Sequence, residues 1–540
     1  MAPWLLAAVL LGSPRFAVVR ECAPSPTVGW QNTLYRDPAP GLFRQEDFRE
    51  VSWWGDAAEG DPTASQLIAD CFGDPAPHSG LVILHALAPL PGAPAHPRPV
   101  LLVPGAGDNA IRSYTFMALS LRAAGFQTYA LTFAHRHGDN FQQAEQVANA
   151  LAVIGARHPG VKIDVIAHSK GGMPARIYAS NHPGADWSTA HPDYDANGTR
   201  YRGDIGRLFF LGSPLGGIDT AFRWPSSNFF AVYGEPLDSP ASWTTFYLAG
   251  NRFFPTDLSD YQIYAPSAFA GQAQMLARWD EVYALPGETP LLGIYAVQQD
   301  WWTTYYGGAG FVSDAPGIET AIEDGGATIA ALGEAGLDPD IELYLAAGGN
   351  PVLSSAGFGG VVFQLWWSDA DAAGLRNFWQ DGVQAVLDLY FPWWAIFEDD
   401  LDRLAAGTAF LGEISGPSDG LLFVDSALDE EALGARGAQA TEVRLFRALN
   451  HVELLAAGSL FSAFHADRNN GFYDPTLAAR YAEADNQIVE WIIARLSQPV
   501  PEAMPAQADA GPPDAAFEDA APQDAAPQDA EAVDAAPDAA

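Results

Sequence analysis

Nothing in this chain constrains its fold more than Asp164-Val-Ile-Ala-His168-Ser169-Lys170-Gly171-Gly172, which follows Val161-Lys162-Ile163 and leads into Met173-Pro-Ala-Arg-Ile-Tyr-Ala. The apolar run predicts a buried strand, the glycines a sharp turn, and the stretch after them a helix. A serine at the apex of such a strand–turn–helix unit has the setting of a nucleophile elbow. Its neighbours must be small, because the apex sits in a strained backbone conformation and larger Cβ atoms beside it would meet the following helix. Glycine usually fills both flanks; here Ala167 takes the first, and alanine is the next smallest side chain. Ser169 is therefore the candidate nucleophile. The plain alternative, a serine in an ordinary glycine-rich turn, is weighed against the partners found elsewhere in the chain.

Those partners occur in a definite order. Val100-Leu-Leu-Val-Pro104-Gly105-Ala106-Gly107 reads as a strand ending in a glycine loop upstream of the serine. The backbone N–H groups of Ala106 and Lys170 are the candidate oxyanion donors. Downstream, residues 410–414 predict a strand that breaks at Ser415-Gly-Pro-Ser-Asp419-Gly420, and residues 443–449 predict another that runs into Asn450-His451-Val-Glu-Leu454. Asp419 is preferred as the acid over Asp300 and Asp425, which also follow apolar runs, because it stands in a tight turn right after a strand. Its plain reading is an Asx turn. His451 is preferred among eleven histidines because it follows a strand downstream of every candidate acid. His168, beside the serine, is read as a structural residue of the elbow. The order Ser, Asp, His differs from those of the chymotrypsin and subtilisin classes.

On Pro104-Gly-Ala-Gly107, Ala167-His-Ser-Lys-Gly-Gly172, Leu211-Gly-Ser-Pro-Leu-Gly-Gly217, Ser418-Asp-Gly-Leu421 and Asn450-His-Val-Glu-Leu454, the chain resembles bacterial lipases and esterases of the α/β-hydrolase superfamily. The alanine-first elbow is similar to that of small bacterial lipases, and the Pro-Gly loop to that of some larger ones. The resemblance implies a mostly parallel sheet with helices on both faces. It also implies ester hydrolysis through Ser169, His451 and Asp419 with no required cofactor, the partner being an ester or lipid substrate. Polyester depolymerases, lactonases, amidases and acyltransferases use the same machinery. A non-catalytic hydrolase fold acting as a binding module is the rival of a different class.

The stretches between the motifs agree with this architecture. Strand-like runs at 126–133, 163–167 and 207–211 alternate with helical runs at 114–124, 141–157 and 171–180, a pattern that builds a parallel sheet covered on both faces. A last helix is expected from Asp474 as N-cap and Pro475 through Leu496. The hydrolase domain spans 28–497, and the region of about 218–407 within it is too long for a simple connection. There the resemblance implies a cap or lid. Its paired aromatics include Trp301, Trp302, Trp366 and Trp367, candidates for an apolar substrate surface, although packing within a cap core is the favoured reading for any single tryptophan. Runs at 290–297 and 341–347 are apolar enough to be strands, with no place assigned in the main sheet.

Charge and the two ends bear on partners and location. A formal charge of −39, with Lys162 and Lys170 the two lysines, argues against nucleic acid or anionic lipid as a partner held by charge. Within residues 1–27, Trp4 to Gly12 resembles the apolar part of a secretory signal, though without a preceding base or a clear cleavage site. No later run is long and apolar enough to span a bilayer. From 498 to 540 the chain is rich in Ala, Pro, Asp and Gln, repeats Ala-Pro-Gln-Asp-Ala at 521–525 and 526–530, and holds no basic residue. Such a tail cannot bury enough apolar surface to offset its ordering entropy and is expected to be disordered. With the N-terminal segment it predicts a secreted, cell-surface or periplasmic protein. Cys22 and Cys71 allow one disulfide or two free thiols. Asp193, Asp195, Asn197 and Asp204, with Gly198 between, match the oxygen-ligand spacing of an EF-hand loop. Asp in place of the final Glu, and Arg200 at an apolar position, favour an Asx-rich surface loop over a structural calcium site.

Overall fold

The computed structural model describes residues 16–37, 62–73, 77–217, 326–349 and 419–499 apart from short breaks, with the short stretches 271, 274–275, 295–296, 312–313, 356–358 and 361–363. In chain order its strands are β1 (Ala17–Cys22), β2 (Gln31–Arg36), β3 (Leu81–Leu87), β4 (Val100–Val103), β5 (Thr128–Phe133), β6 (Ile163–His168) and β7 (Ile205–Leu211). After these come β8 (Tyr295–Ala296), β9 (Val312–Ser313), β10 (Glu342–Gly348), β11 (Ala356–Phe358), β12 (Val361–Phe363) and β13 (Ala440–Phe446). Nine of them form one sheet in the order β1-β2-β3-β5-β4-β6-β7-β10-β13. From β5 to β13 every neighbouring pair is parallel, whereas β1, β2 and β3 join antiparallel at one edge. The remaining four strands form two antiparallel ribbons.

The helices are α1 (Pro62–Phe72), α2 (Ala110–Ala124), α3 (Asn140–Arg157), α4 (Gly172–Ser180), α5 (Ala327–Ala335), α6 (Val424–Ala427), α7 (Gly458–Ala466), α8 (Pro475–Ala482) and α9 (Ile488–Leu496). The parallel strands other than the edge strand β13 are apolar almost throughout because both of their faces are covered. Alternate side chains enter opposite cores. Leu102, Ile166, Phe209 and Ala346 pack with Leu121 of α2 and Ile492 of α9. Their neighbours Leu101, Val165, Phe210 and Leu345 pack with Leu151 of α3 and Tyr178 of α4. Asp139 starts α3 by accepting hydrogen bonds from the N–H groups of Phe141, at 2.7 Å, and Gln142, at 3.1 Å.

The structure differs from the sequence reading in several places. The last helix is broken into α8 and α9, with a 3-10 turn at Ala484–Asn486 between them. The Asn486 amide donates to the Arg480 carbonyl at 2.9 Å and so takes the backbone's own acceptor where a continuous helix would need it. Asp474, its expected N-cap, lies outside the described residues. The run at 341–347 is β10, seated in the main sheet between β7 and β13, so a core strand falls inside the 218–407 span. Cys22 and Cys71 form a disulfide that ties β1 to α1. The chain divides into Met1–Ser497 and Gln498–Ala540. Residues 1–15, the expected strand at 410–414 and the tail beyond Pro499 lie outside the described residues. Among the described residues, no helix is long and apolar enough to cross a membrane.

Candidate active site

Ser169 follows β6 directly, at φ +52°, and no other non-glycine among the described residues has positive φ. A left-handed conformation at an ordinary residue costs energy and persists only where its surroundings enforce it. They do so here by close approach. A Cβ on Gly171 would collide with the carbonyl oxygens of Val103 and Pro104, and one on Gly172 with Ser213 Oγ. A Cβ on Gly105 would come within 2.9 Å of that of Ser169, so the loop carrying Ala106 runs beside the serine. Lys170 occupies the turn Ser169–Gly171, and its buried side chain donates to Gln143 Oε1 on α3.

Asp419 and His451 are brought together. His451 Nδ1 donates to Asp419 Oδ2 at 2.7 Å, and both residues are buried. The backbone N–H of His451 donates to the Asp419 carbonyl at 2.9 Å, while Asp419 Oδ1 accepts from the Leu422 N–H at 2.8 Å. The Asx turn that was the plain reading of Asp419 thus coexists with the contact to His451. The strand end that adjoins Asp419 is that of β10, because a Cβ on Gly348 would lie 2.9 Å from the Asp419 Cβ. Gly212, at the end of β7, makes room for the pair: a Cβ there would lie 3.1 Å from Asp419 Oδ2 and 3.2 Å from His451 Nδ1. Asp425 is exposed on α6, and Asp300 lies outside the described residues.

Two residues around His451 carry more than the sequence suggested. His168 Nε2 donates to the His451 carbonyl at 2.9 Å. Burial, reinforced by the nearby His451 charge, lowers the His168 pKa to about 3, so this ring is neutral. Glu453 is fully buried and accepts from the Asn450 N–H at 2.8 Å, from the Tyr481 hydroxyl at 2.8 Å and from Arg480. Burial pushes its carboxyl up to about 7 against the pull of Arg480. The available signal was a glutamate two residues after His451 in an apolar stretch, with no local partner to explain it.

The other candidates fare differently. Trp301, Trp302, Trp366 and Trp367 lie outside the described residues, as does Asp193. Asp195 Oδ1 accepts from the Gly198 N–H at 2.9 Å, Asn197 Oδ1 from Arg200 at 3.0 Å, and Asp204 from the Tyr178 hydroxyl at 2.6 Å and from Arg202. These oxygens serve the loop and its neighbours, and among the described residues no group of three or more His, Cys, Asp or Glu side chains is arranged to hold a metal ion.

A mixed sheet with helices packed on both faces, a serine at a positive-φ turn and an Asp–His pair at the neighbouring strand ends are features of an α/β-hydrolase-type fold. No protein-family model and no curated protein matches the chain. Among solved structures, a lipase of Bacillus licheniformis in mature form aligns with 71% of this chain and 96% of its own, at 11% identity and a TM-score of 0.31. A thermostable carboxyl esterase from Bacillus coagulans, in complex with glycerol, aligns with 50% of this chain and 77% of its own, at 17% identity and a TM-score of 0.23. A lidless α/β serine hydrolase from Xanthomonas campestris covers 26% of this chain and 60% of its own, at 14% identity and a TM-score of 0.18. Alignments at this level add no weight to the strand order and site geometry, on which the class rests.

Proposed function

We propose that the chain hydrolyses carboxylic esters through an acyl-enzyme, as a lipase or carboxylesterase for esters with apolar acyl groups. The observation that carries this reading is the buried 2.7 Å contact between His451 and Asp419, with the His451 carbonyl hydrogen-bonded to His168, the residue before a serine held at positive φ. In the proposed cycle Asp419 fixes the ring with hydrogen on Nδ1, leaving Nε2 to take the Ser169 proton as Oγ attacks the carbonyl. The imidazolium then returns this proton to the leaving alcohol, and a water molecule activated in the same way releases the acid. The amides of Ala106 and Lys170 are the proposed oxyanion donors, each contributing on the order of 3 kcal/mol. The chemistry requires no metal or organic cofactor.

Acyl selectivity is assigned to the parts of the 218–407 span on either side of β10, with Trp301, Trp302, Trp366 and Trp367 as the proposed apolar lining. One part of that span lies close to the elbow: Gly271 sits against the Lys170 side chain, its carbonyl accepts from the Asn140 amide at 2.8 Å, and Gln274 donates to Asp139 at 2.6 Å. Each buried methylene contributes about 0.8 kcal/mol, so lengthening the acyl chain by a few carbons raises kcat/KM tens of fold until the surface is filled. Export is also proposed, since disulfides such as Cys22–Cys71 form and persist in oxidising compartments.

The test is a hydrolysis profile across p-nitrophenyl esters of increasing chain length. A rise in kcat/KM with length supports the reading. Strict acetyl preference would replace it with a short-chain esterase, and no turnover of any ester would remove it.

A further inference from the structure

We propose that His168 is a positioning residue: its Nε2–H, donated to the His451 carbonyl, sets the spacing between the nucleophile strand and the base. This rests on the triad reading above. The placement of the His451 ring follows from three hydrogen bonds: its N–H to the Asp419 carbonyl at 2.9 Å, its Nδ1–H to Asp419 Oδ2 at 2.7 Å, and its carbonyl from His168 at 2.9 Å. The first two tie it to Asp419 and thus to the end of β10. The third alone ties it to β6, whose last residue is His168 and whose next residue is Ser169. A backbone pinned at both the N–H and the C=O leaves only side-chain torsions free, and Asp419 fixes those. The gap between Ser169 and the base is therefore controlled through His168.

The His168 ring itself is committed to this one task. A carbonyl acceptor requires hydrogen on Nε2, which leaves a lone pair on Nδ1, and Nδ1 is buried with no hydrogen-bond partner among the described residues. Leaving such an atom unsatisfied is costly, a cost that a purely space-filling residue would not carry. The two imidazoles lie with centroids 4.8 Å apart. A neutral His168 places no charge beside His451 when His451 becomes an imidazolium.

The two ring nitrogens make the inference testable by shape, because a glutamine amide nitrogen falls near Nε2 and an asparagine amide nitrogen near Nδ1. On a short soluble ester, His168→Asn and His168→Leu should lower kcat by about 10- to 100-fold with KM almost unchanged, because a displacement on the order of 1 Å is costly to catalysis. His168→Gln should keep most of the activity, and the rate of Ser169 phosphonylation by a fluorophosphonate should follow the same ranking. Equal activities for the Gln and Asn variants would overturn the proposal. Nitrogen-15 NMR of the unmodified protein, with the His168 signals assigned by their loss in His168→Gln, should show this ring neutral with hydrogen on Nε2 from about pH 5 to 9; a His168 ring that titrates in this range or carries hydrogen on Nδ1 would overturn the proposal independently of folding. Absence of fluorophosphonate labelling in the unmodified protein would strike the triad reading instead.

Discussion

The same three strands, β6, β7 and β10, carry polar groups at both of their ends and use them in opposite ways. At the start they carry Asp164, Arg207 and Glu342. Arg207 pairs with Asp164 at 3.2 Å and with Glu342 at 3.1 Å, and it also donates to the Leu496 carbonyl at 3.0 Å. Arg98 adds a second cation to Asp164, at 3.3 Å. At the other end stand His168, Gly212 and Gly348, beside the strained Ser169 and the Asp419–His451 pair. One end is saturated charge that stitches the sheet to its last helix. The other keeps strain and a lone pair without a donor, the kind of local violation that is retained where function demands it. Stability and chemistry should therefore separate along the length of these strands.

The sharpest break between the two ends is expected from His451→Ala and Asp419→Asn. Each should lower ester hydrolysis by about 10⁴-fold or more, with little change in melting temperature, because members of one catalytic unit fail together. Steady-state rates beside a thermal melt check this. Arg207→Met should do the reverse. Removing one partner of a buried pair costs about 3–5 kcal/mol, so urea unfolding should show a large loss while kcat for the folded fraction stays close to normal. A large fall in kcat would mean that the two ends are coupled.

These two ends were not equally legible in the sequence. The strand–turn–helix unit around Ser169 and the glycine loop beside it could be read because each depends on a local pattern: an apolar run followed by small or polar turn residues. The Asp164–Arg207–Glu342 network and the hydrogen bond from His168 to a carbonyl in a distant loop depend on which strands lie side by side, which no local pattern encodes. For the same reason β10 looked like a strand without a place. The run at 410–414, expected to precede Asp419, lies outside the described residues, and the strand end found beside Asp419 is Gly348. The break between α8 and α9 escaped because Asn486 acts through a single side-chain bond that helical periodicity does not register.

Two smaller effects refine the comparison. Replacing Cys22 and Cys71 by serine should cost about 2–4 kcal/mol in denaturant unfolding and leave kcat unchanged, since the bridge ties β1 to α1 away from the site. The smallest effect concerns Glu453, whose folded value of about 7 lies above its ordinary 4.5. The stability it contributes is fully present below the unfolded value and is lost as pH rises through about 7. Melting temperature should thus fall more between about pH 5 and pH 8 in the unmodified protein than in Glu453→Gln, by a few degrees. A steeper fall in the variant would show that Glu453 is anionic throughout and that Arg480 dominates burial.

Covalent trapping checks whether the strained serine after β6 is a nucleophile activated by His451. The intact protein is treated with a fluorophosphonate and the adduct located by peptide mass spectrometry. A single adduct is expected on Ser169, appearing in parallel with loss of esterase activity and absent from Ser169→Ala. An adduct on another residue, or a folded Ser169→Ala protein that still hydrolyses esters at near the original rate, would contradict this role of Ser169.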